Sequence, residues 1–328
     1  MEQRAGILEG ATPKFAKTVS SKYARMGASG VKDDMTENHG RKVALSYIQK
    51  VSDAVGLLVT TKGEAWHYDL PTTLNKKDVK AVSIGLDGTC LLAVEGGYKQ
   101  AMAGTISLLD GDGERLHTIY VGAAPQRGKA TFLHMLKKET EAVTAAFPKA
   151  TIVGVADGAR DNWEFLNTVT DQQIIDFFHV AEYLHDVAEI ILPDAVERKI
   201  WLELRCHDLK HTPKTADALV VELQDYMKTR RKKAERDTLQ RALTYFQNNK
   251  HMMDYPTALN DNLPIGSGVT EAACKVLVKQ RLGCAGMRWT SRGAHVVLQL
   301  RALSLTPGRW KSFWNKITLH GYDLPRAA

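Results

Sequence analysis

The chain has 328 residues, 44% of them hydrophobic and 25% charged, with a net charge of +7. That composition excludes wholesale disorder, collagen-like repeats and coiled-coil rods, and no stretch reaches the roughly 18 uninterrupted apolar residues of a membrane span. The start, Met1-Glu2-Gln3-Arg4, lacks the charged-then-apolar pattern of a secretory signal, and Cys90, Cys206, Cys274 and Cys284 form no Cys-x-x-Cys pair, so a cytoplasmic, reducing setting is expected.

In chain order, residues 13–60 read as two or three short helices. Phe15, Val19, Tyr23 and Met26, and then Val43, Tyr47 and Val51, recur at helical spacing around a polar break at 32–40. Short helices around such a break are compatible with a helix-turn-helix reader of DNA or with a plain helical hairpin. From Val79 the pattern alternates as a strand up to Asp87, and two further strands, 100–109 and 115–122, flank the turn Asp110-Gly111-Asp112-Gly113-Glu114. A helix over Pro125–Phe147 follows, with Phe132, Leu136 and Val143 on its apolar stripe, and then a buried strand, Thr151–Ala156, closed by Asp157-Gly158. A helix carrying Trp163, a strand from Gln173 to Phe178 and a helix from His179 to about Leu192 complete this part. Residues 193–253 are helical throughout, and a helix resumes near Thr270 after Pro264-Ile265-Gly266-Ser267-Gly268.

An antiparallel three-strand meander feeding helix crossovers into parallel strands predicts an α/β fold: a ribonuclease H-like mixed sheet, a helical insertion before the last catalytic helix, and an N-terminal helical region. The expected divisions are a helical, potentially DNA-contacting region over 1–78, a first core part over 79–192, a helical insertion over 193–262, the rest of the core over 263–300 and a basic tail over 301–328.

Two carboxylates stand where strands are expected to end, Asp87 before Gly88 and Asp157 before Gly158, and sites gather at the carboxyl ends of such strands. In this fold order the two strands are neighbours, so both acids come within reach of one metal ion. Glu271, opening a helix after a Gly-rich turn, is the candidate third ligand. Clustered carboxylates without a nearby base repel one another unless protonated or bound to a hard cation, so Mg²⁺ is expected. Two such ions about 3.5–4 Å apart suit phosphoryl transfer on a nucleic acid backbone. Asp176 and His179, three residues apart at a strand-to-helix junction, read either as a cap with a core histidine or as auxiliary groups of that site.

Positive charge is concentrated at one end: residues 271–328 hold ten Lys/Arg against the two acids Glu271 and Asp323. Lys275 and Lys279 lie at four-residue steps from Glu271, and Arg281, Arg288, Trp289 and Arg292 continue a mixture of cations and an aromatic ring suited to backbone contacts and a stacked base, or to a solvated helix with one buried Trp.

With these residues in view the sequence resembles the DDE transposases of bacterial insertion sequences, nearest the ISKra group and more loosely the Mutator-like superfamily, over about residues 13–300. The resemblance rests on Ser83-Ile84-Gly85-Leu86-Asp87-Gly88-Thr89, on Val155-Ala156-Asp157-Gly158-Ala159-Arg160-Asp161-Asn162-Trp163, on Asp176-Phe177-Phe178-His179, and on Gly266-Ser267-Gly268-Val269-Thr270-Glu271 with Lys275 and Arg281. It implies Asp87, Asp157 and Glu271 as the catalytic metal-binding triad, and Asp176 with His179 as an Asp/Cys-x-x-His motif beside it. It also implies two Mg²⁺ ions (Mn²⁺ as a substitute), DNA as partner at transposon ends and target, self-association on DNA, and a bacterial cytoplasmic, nucleoid-associated setting. Such enzymes carry more DNA-binding sequence upstream, so the chain reads as a shortened form. Two other readings remain open: a transposase-derived DNA-binding protein without strand transfer, and a ribonuclease H-like nuclease.

Overall fold

The structure is a computed structural model that describes residues 2–63, 70, 71, 74, 75, 77–126 and 129–322. Met1, Asp323 and Arg326 lie outside the described residues. Three helices open the chain: α1 (Pro13–Tyr23), started by Pro13 and the Thr12 side-chain cap, α2 (Ala28–His39) and α3 (Leu45–Gly63). The sheet follows with β1 (Ala81–Leu92), β2 (Tyr98–Leu109) and β3 (Arg115–Ala123), then α4 (Ala130–Ala146), β4 (Thr151–Ala156), α5 (Arg160–Leu166), β5 (Gln172–Ile175) and α6 (Phe177–Ile191).

The strand order is β3-β2-β1-β4-β5, with β1 to β3 antiparallel and β4 and β5 parallel to β1. This is the ribonuclease H-like topology expected from the sequence. The turn at 110–114 is tied by Asp110 Oδ1, which accepts from Asp112 N and Glu114 N at 3.0 and 2.9 Å. After α6 come α7 (Ala195–His211), α8 (Thr215–Thr229), α9 (Lys233–Asn249) and α10 (Tyr255–Asn260). Next is one continuous helix made of α11 (Gly268–Ala273), a π-wound stretch (Cys274–Lys279) and α12 (Gln280–Leu282). Helices α13 (Ser291–Leu305) and α14 (Arg309–His320) end the described chain. Among the described residues no helix is long and apolar enough to cross a membrane.

The two sheet faces differ in side-chain size, and that difference places the site. Val82, Ile84 and Leu86 of β1 point to one face, where they form a core with Phe132 and Leu136 of α4, Leu184 of α6 and Phe246 of α9. Ser83, Gly85 and Asp87 point to the other, beside Ser107, Thr105 and Ala103 of β2. That small, polar face lets the helix 268–282 approach closely. Thr270 sits where a side chain on Gly85 would be, and Leu277 fills the space over Gly122. Thr270 Oγ1 lies 2.7 Å from Thr105 Oγ1. The same helix, α1, α3, α13 and α14 build a second core around Val19, Val55, Leu277, Leu298 and Phe313.

Three sequence expectations are corrected. Asp87 does not end the first strand: β1 runs on to Leu92 because β2 continues opposite it, and only the pairing with β4 stops earlier, at Ile84. Asp176 is not a strand residue but the N-cap of α6, which begins at Phe177 rather than His179. Most of 301–328 is not a loose tail, since α14 buries Phe313, Trp314 and Ile317 in the second core.

Candidate active site

Along the β1–β4 ladder Ala81 faces Thr151 and Ile84 faces Gly154; at the same offset Asp87 falls opposite Asp157, three residues past the last pair. Where the ladder opens, Asn162 from the first turn of α5 spans the gap. Its Nδ2 lies 3.3 Å from Asp157 Oδ1 and 3.5 Å from the Leu86 carbonyl. Asp157 Oδ1 also accepts from Ala159 N at 3.2 Å, and the Trp163 indole N–H donates to the Asp157 carbonyl at 2.6 Å. Lys129 reaches Asn162 Oδ1 at 3.3 Å while ion-paired with Asp161 at 2.6 Å.

Asp87 Oδ1 accepts from Gly88 N at 2.6 Å, and its Oδ2 takes the Cys274 thiol at 3.4 Å. Burial, and then the Asp87 charge beside it, push the Cys274 thiol far up, so it stays protonated and serves as a weak donor. Cys274 and Glu271 lie three residues apart on the same helix, so the helix that touches Asp87 is also the one that carries the third acid. The Glu271 side chain is exposed, with Oε1 3.2 Å from Ser267 Oγ.

Ser267 links Glu271 to Asp176. The Asp176 carboxylate is fully buried and has no cationic partner among the described residues, yet four donors surround it. Oδ1 takes Phe178 N at 2.6 Å and His179 N at 3.3 Å, while Oδ2 takes Ser267 N at 2.7 Å and, in a close contact, the Ser267 hydroxyl. A hydroxyl has one proton, and its short contact is with Asp176, so Glu271 Oε1 keeps its acceptor capacity. Phe177 N donates to the Ile265 carbonyl at 2.9 Å, a second tie between the start of α6 and the turn that launches Glu271.

Burial alone would lower His179. The Glu182 carboxylate 3.0 Å from its Nδ1 and the negative field of Asp176, Glu182 and Asp157 outweigh it and hold the imidazole above its ordinary value. Sequence reasoning missed several groups here. Tyr245 of α9 stacks on Tyr183 at 4.0 Å, closes over Gly158, and has a buried hydroxyl without a partner among the described residues. Burial first, then Tyr183 and the field of Asp157, Asp176 and Glu182, raise its phenol. Nothing local in the sequence signals Tyr245, whereas Asn162 and Ser267 stand inside the quoted segments.

The structure brings Asp87, Asp157 and Glu271 to the region where the β1–β4 ladder opens without closing them on a point: among the described residues no three His, Cys, Asp or Glu side chains are gathered as metal ligands. The expected three-carboxylate metal site is therefore open here, because Asp87 and Asp157 are turned onto protein donors and Glu271 faces solvent. The donor set still fits a hard cation. It is all oxygen, and none of the three acids is ion-paired among the described residues.

Among the expected DNA contacts, Lys275, Lys279, Arg288 and Arg292 are exposed. Arg281 is not: 2% exposed, it donates to the Tyr23 carbonyl at 3.2 Å and its guanidinium lies 5.3 and 5.1 Å from the Tyr23 and Trp289 ring centroids. Its role is packing, and the Trp289 ring it covers is half-buried, with the indole N–H on the Leu282 carbonyl at 2.9 Å. Trp289 is thus a structural ring rather than a free stacking platform. The chain matches no protein-family model and is not significantly similar to any curated protein.

Proposed function

We propose that the protein is a DDE-type transposase of a bacterial insertion sequence, acting on DNA in the cytoplasm at the nucleoid and assembling as a dimer or larger on paired ends. The observation that carries this reading is that the β1–β4 offset, carried three residues past its last pair, sets Asp87 opposite Asp157 just beyond β4, with the helix of Glu271 laid on the face to which Asp87 points. Asp87, Asp157 and Glu271 would hold Mg²⁺ or Mn²⁺, which when bound would activate a water or 3′-hydroxyl and neutralise phosphate charge. The chain's own groups supply the rest. Lys275 and Lys279 bind non-bridging phosphate oxygens beside the carboxylates. His179, held toward its imidazolium form by the surrounding acids, grips a phosphate or the non-transferred strand. Asp176 acts through Ser267 to fix the helix carrying Glu271.

The test is cleavage and joining of labelled duplexes bearing the element's inverted-repeat ends, with Mg²⁺ or Mn²⁺. Asp87→Asn, Asp157→Asn and Glu271→Gln should each lower the rate at least about 100-fold with DNA binding retained. One observation favours a second reading, a transposase-derived binding protein: Asp87 and Asp157 are each already satisfied by protein donors. Binding without cleavage under every metal condition would select it, and preferential cutting of RNA–DNA hybrid would select a nuclease.

A further inference from the structure

A second cationic surface lies away from the carboxylates. An open groove of about 510 Å³ between α1, the end of α2 and α14 is lined by Lys14, Lys17, Lys22, Arg25, His39 and Trp310, and by no acid. Lys22 is held by Asp34 at 2.5 Å, and His39 lies 3.7 Å from the same carboxylate. Lys14, Lys17 and Arg25 have no ion pair among the described residues, and Lys14 and Arg25 are exposed. The sequence around them is one-sided: residues 10–32 contain five Lys/Arg and no Asp or Glu. Cations left unpaired along one helix, over a run without acids, leave a concentrated positive field for a polyanion. Trp310, set edge-on against buried Trp314 at 5.9 Å, gives the groove a fixed aromatic wall.

The groove is bolted to the helix of Glu271. The last carbonyls of α1, which a helix end leaves without partners, are taken by two buried arginines. Arg281 Nε donates to Tyr23 O at 3.2 Å and Arg301 Nη1 to Ala24 O at 2.6 Å. Arg301 Nε also donates to Leu277 O at 2.9 Å. Arg25 therefore follows directly on the point where α1 meets the helix that presents Lys275 and Lys279. From Lys14 to the end of α1 at Tyr23 is about 14 Å of helix, with Arg25 just beyond it, a length over which one DNA strand presents about four phosphates.

We infer that this α1–α14 groove binds the phosphate backbone of duplex DNA, separately from the carboxylate cleft and the lysines beside it. It does not depend on those carboxylates being catalytic. The probe is a fluorescently labelled random-sequence duplex, its affinity followed by anisotropy over a salt series. Replacing Lys14, Lys17 and Arg25 together by Gln should weaken binding at least about tenfold and lower the slope of log K against log salt by about 2–3, at about 0.9 for each phosphate no longer neutralised. Lys149→Gln, exposed and without an ion pair among the described residues, should bind as the parent does, and because binding is read without metal or cleavage, a failure of catalysis and a failure of the groove give different results. If the triple variant melts early, Lys17→Glu alone carries the test with the same direction of change. An unchanged slope and affinity in these variants, a slope change confined to Lys275→Gln and Lys279→Gln, or a parent that binds anionic vesicles but no duplex, overturns the inference.

Discussion

Asp176→Asn tests the link between the start of α6 and the turn that launches Glu271. The carboxylate accepts four hydrogen bonds in a fully buried place, two from Phe178 N and His179 N and two from Ser267. An amide has one oxygen and an NH₂ group: turned with the NH₂ toward Ser267 it sets a donor against Ser267 N while the hydroxyl reverses to accept, and turned the other way it sets a donor against both Phe178 N and His179 N. Hydrogen bonds to a charged group contribute about 1.5–3 kcal/mol each and neutral ones about half that, so losing one and weakening the other three should cost about 3–5 kcal/mol, a large part of an ordinary stability of about 5–15 kcal/mol. With a urea dependence of about 3 kcal/mol per molar, the unfolding midpoint should fall by about 1–1.7 M. The control is Asp194→Asn at the exposed N-cap of α7, where Oδ1 takes Val196 N and Glu197 N at 2.9 and 3.0 Å; an amide oxygen accepts both, so the loss should be about 0.5 kcal/mol or less. If Asp176→Asn shifts the midpoint no more than that control does, Asp176 is an ordinary cap and its connection through Ser267 contributes nothing.

Gly85→Ala should destabilise by about 1–3 kcal/mol, because the added methyl would fall on Thr270 Oγ1, whereas Gly268→Ala, with nothing within 4 Å, should change stability little; thermal melts compare the two. Arg281→Lys should lose about 2–4 kcal/mol in denaturant, since a lysine cannot both lie flat on Tyr23 and Trp289 and reach the Tyr23 carbonyl; a smaller loss would return Arg281 to the surface. Burial lowers His117 and His295 below 6.5, so the unfolded chain takes up protons that the folded one refuses, and stability should fall as pH drops below about 6.5. His179, raised instead, contributes stability at low pH that is lost as pH rises through its folded value. His117→Gln with His295→Gln should therefore make the melting temperature fall less, or rise more, between pH 7 and 5.5 than it does in the parent.

The sheet was legible because its cues are local. Alternation in Val82, Ile84 and Leu86, the Asp-Gly turn after β2 and the apolar run 151–156 fix element type, and chain order then leaves few topologies. The end of β1 was not legible, because Gly88 looks like a terminator and only the partner strand shows that pairing continues to Leu92. Arg281 read as a DNA contact because its neighbours are cationic; its burial comes from Tyr23, 258 residues away in the chain. Short helices make residues 1–78 readable as a DNA-contacting region, but no local signal singles out the cations of the α1 groove. Net charge drew attention to the C-terminal end, while the run free of acids from 10 to 32 adds only five cations to a chain with 44.

The helix of Glu271 buries residue pairs at a strict interval of four: Ala273 and Cys274, Leu277 and Val278, Arg281 and Leu282. An ordinary α-helix advances about 40° past a full circle in four residues, so over the eight from Glu271 to Lys279 a row of side chains would wind away by about 80°. The wide π turns between Cys274 and Lys279 take up that drift, and residues 271, 275 and 279 all remain on the solvent side. A strand laid along this edge meets an acid and then two ammonium groups in file, as along the side of a ruler rather than the thread of a screw.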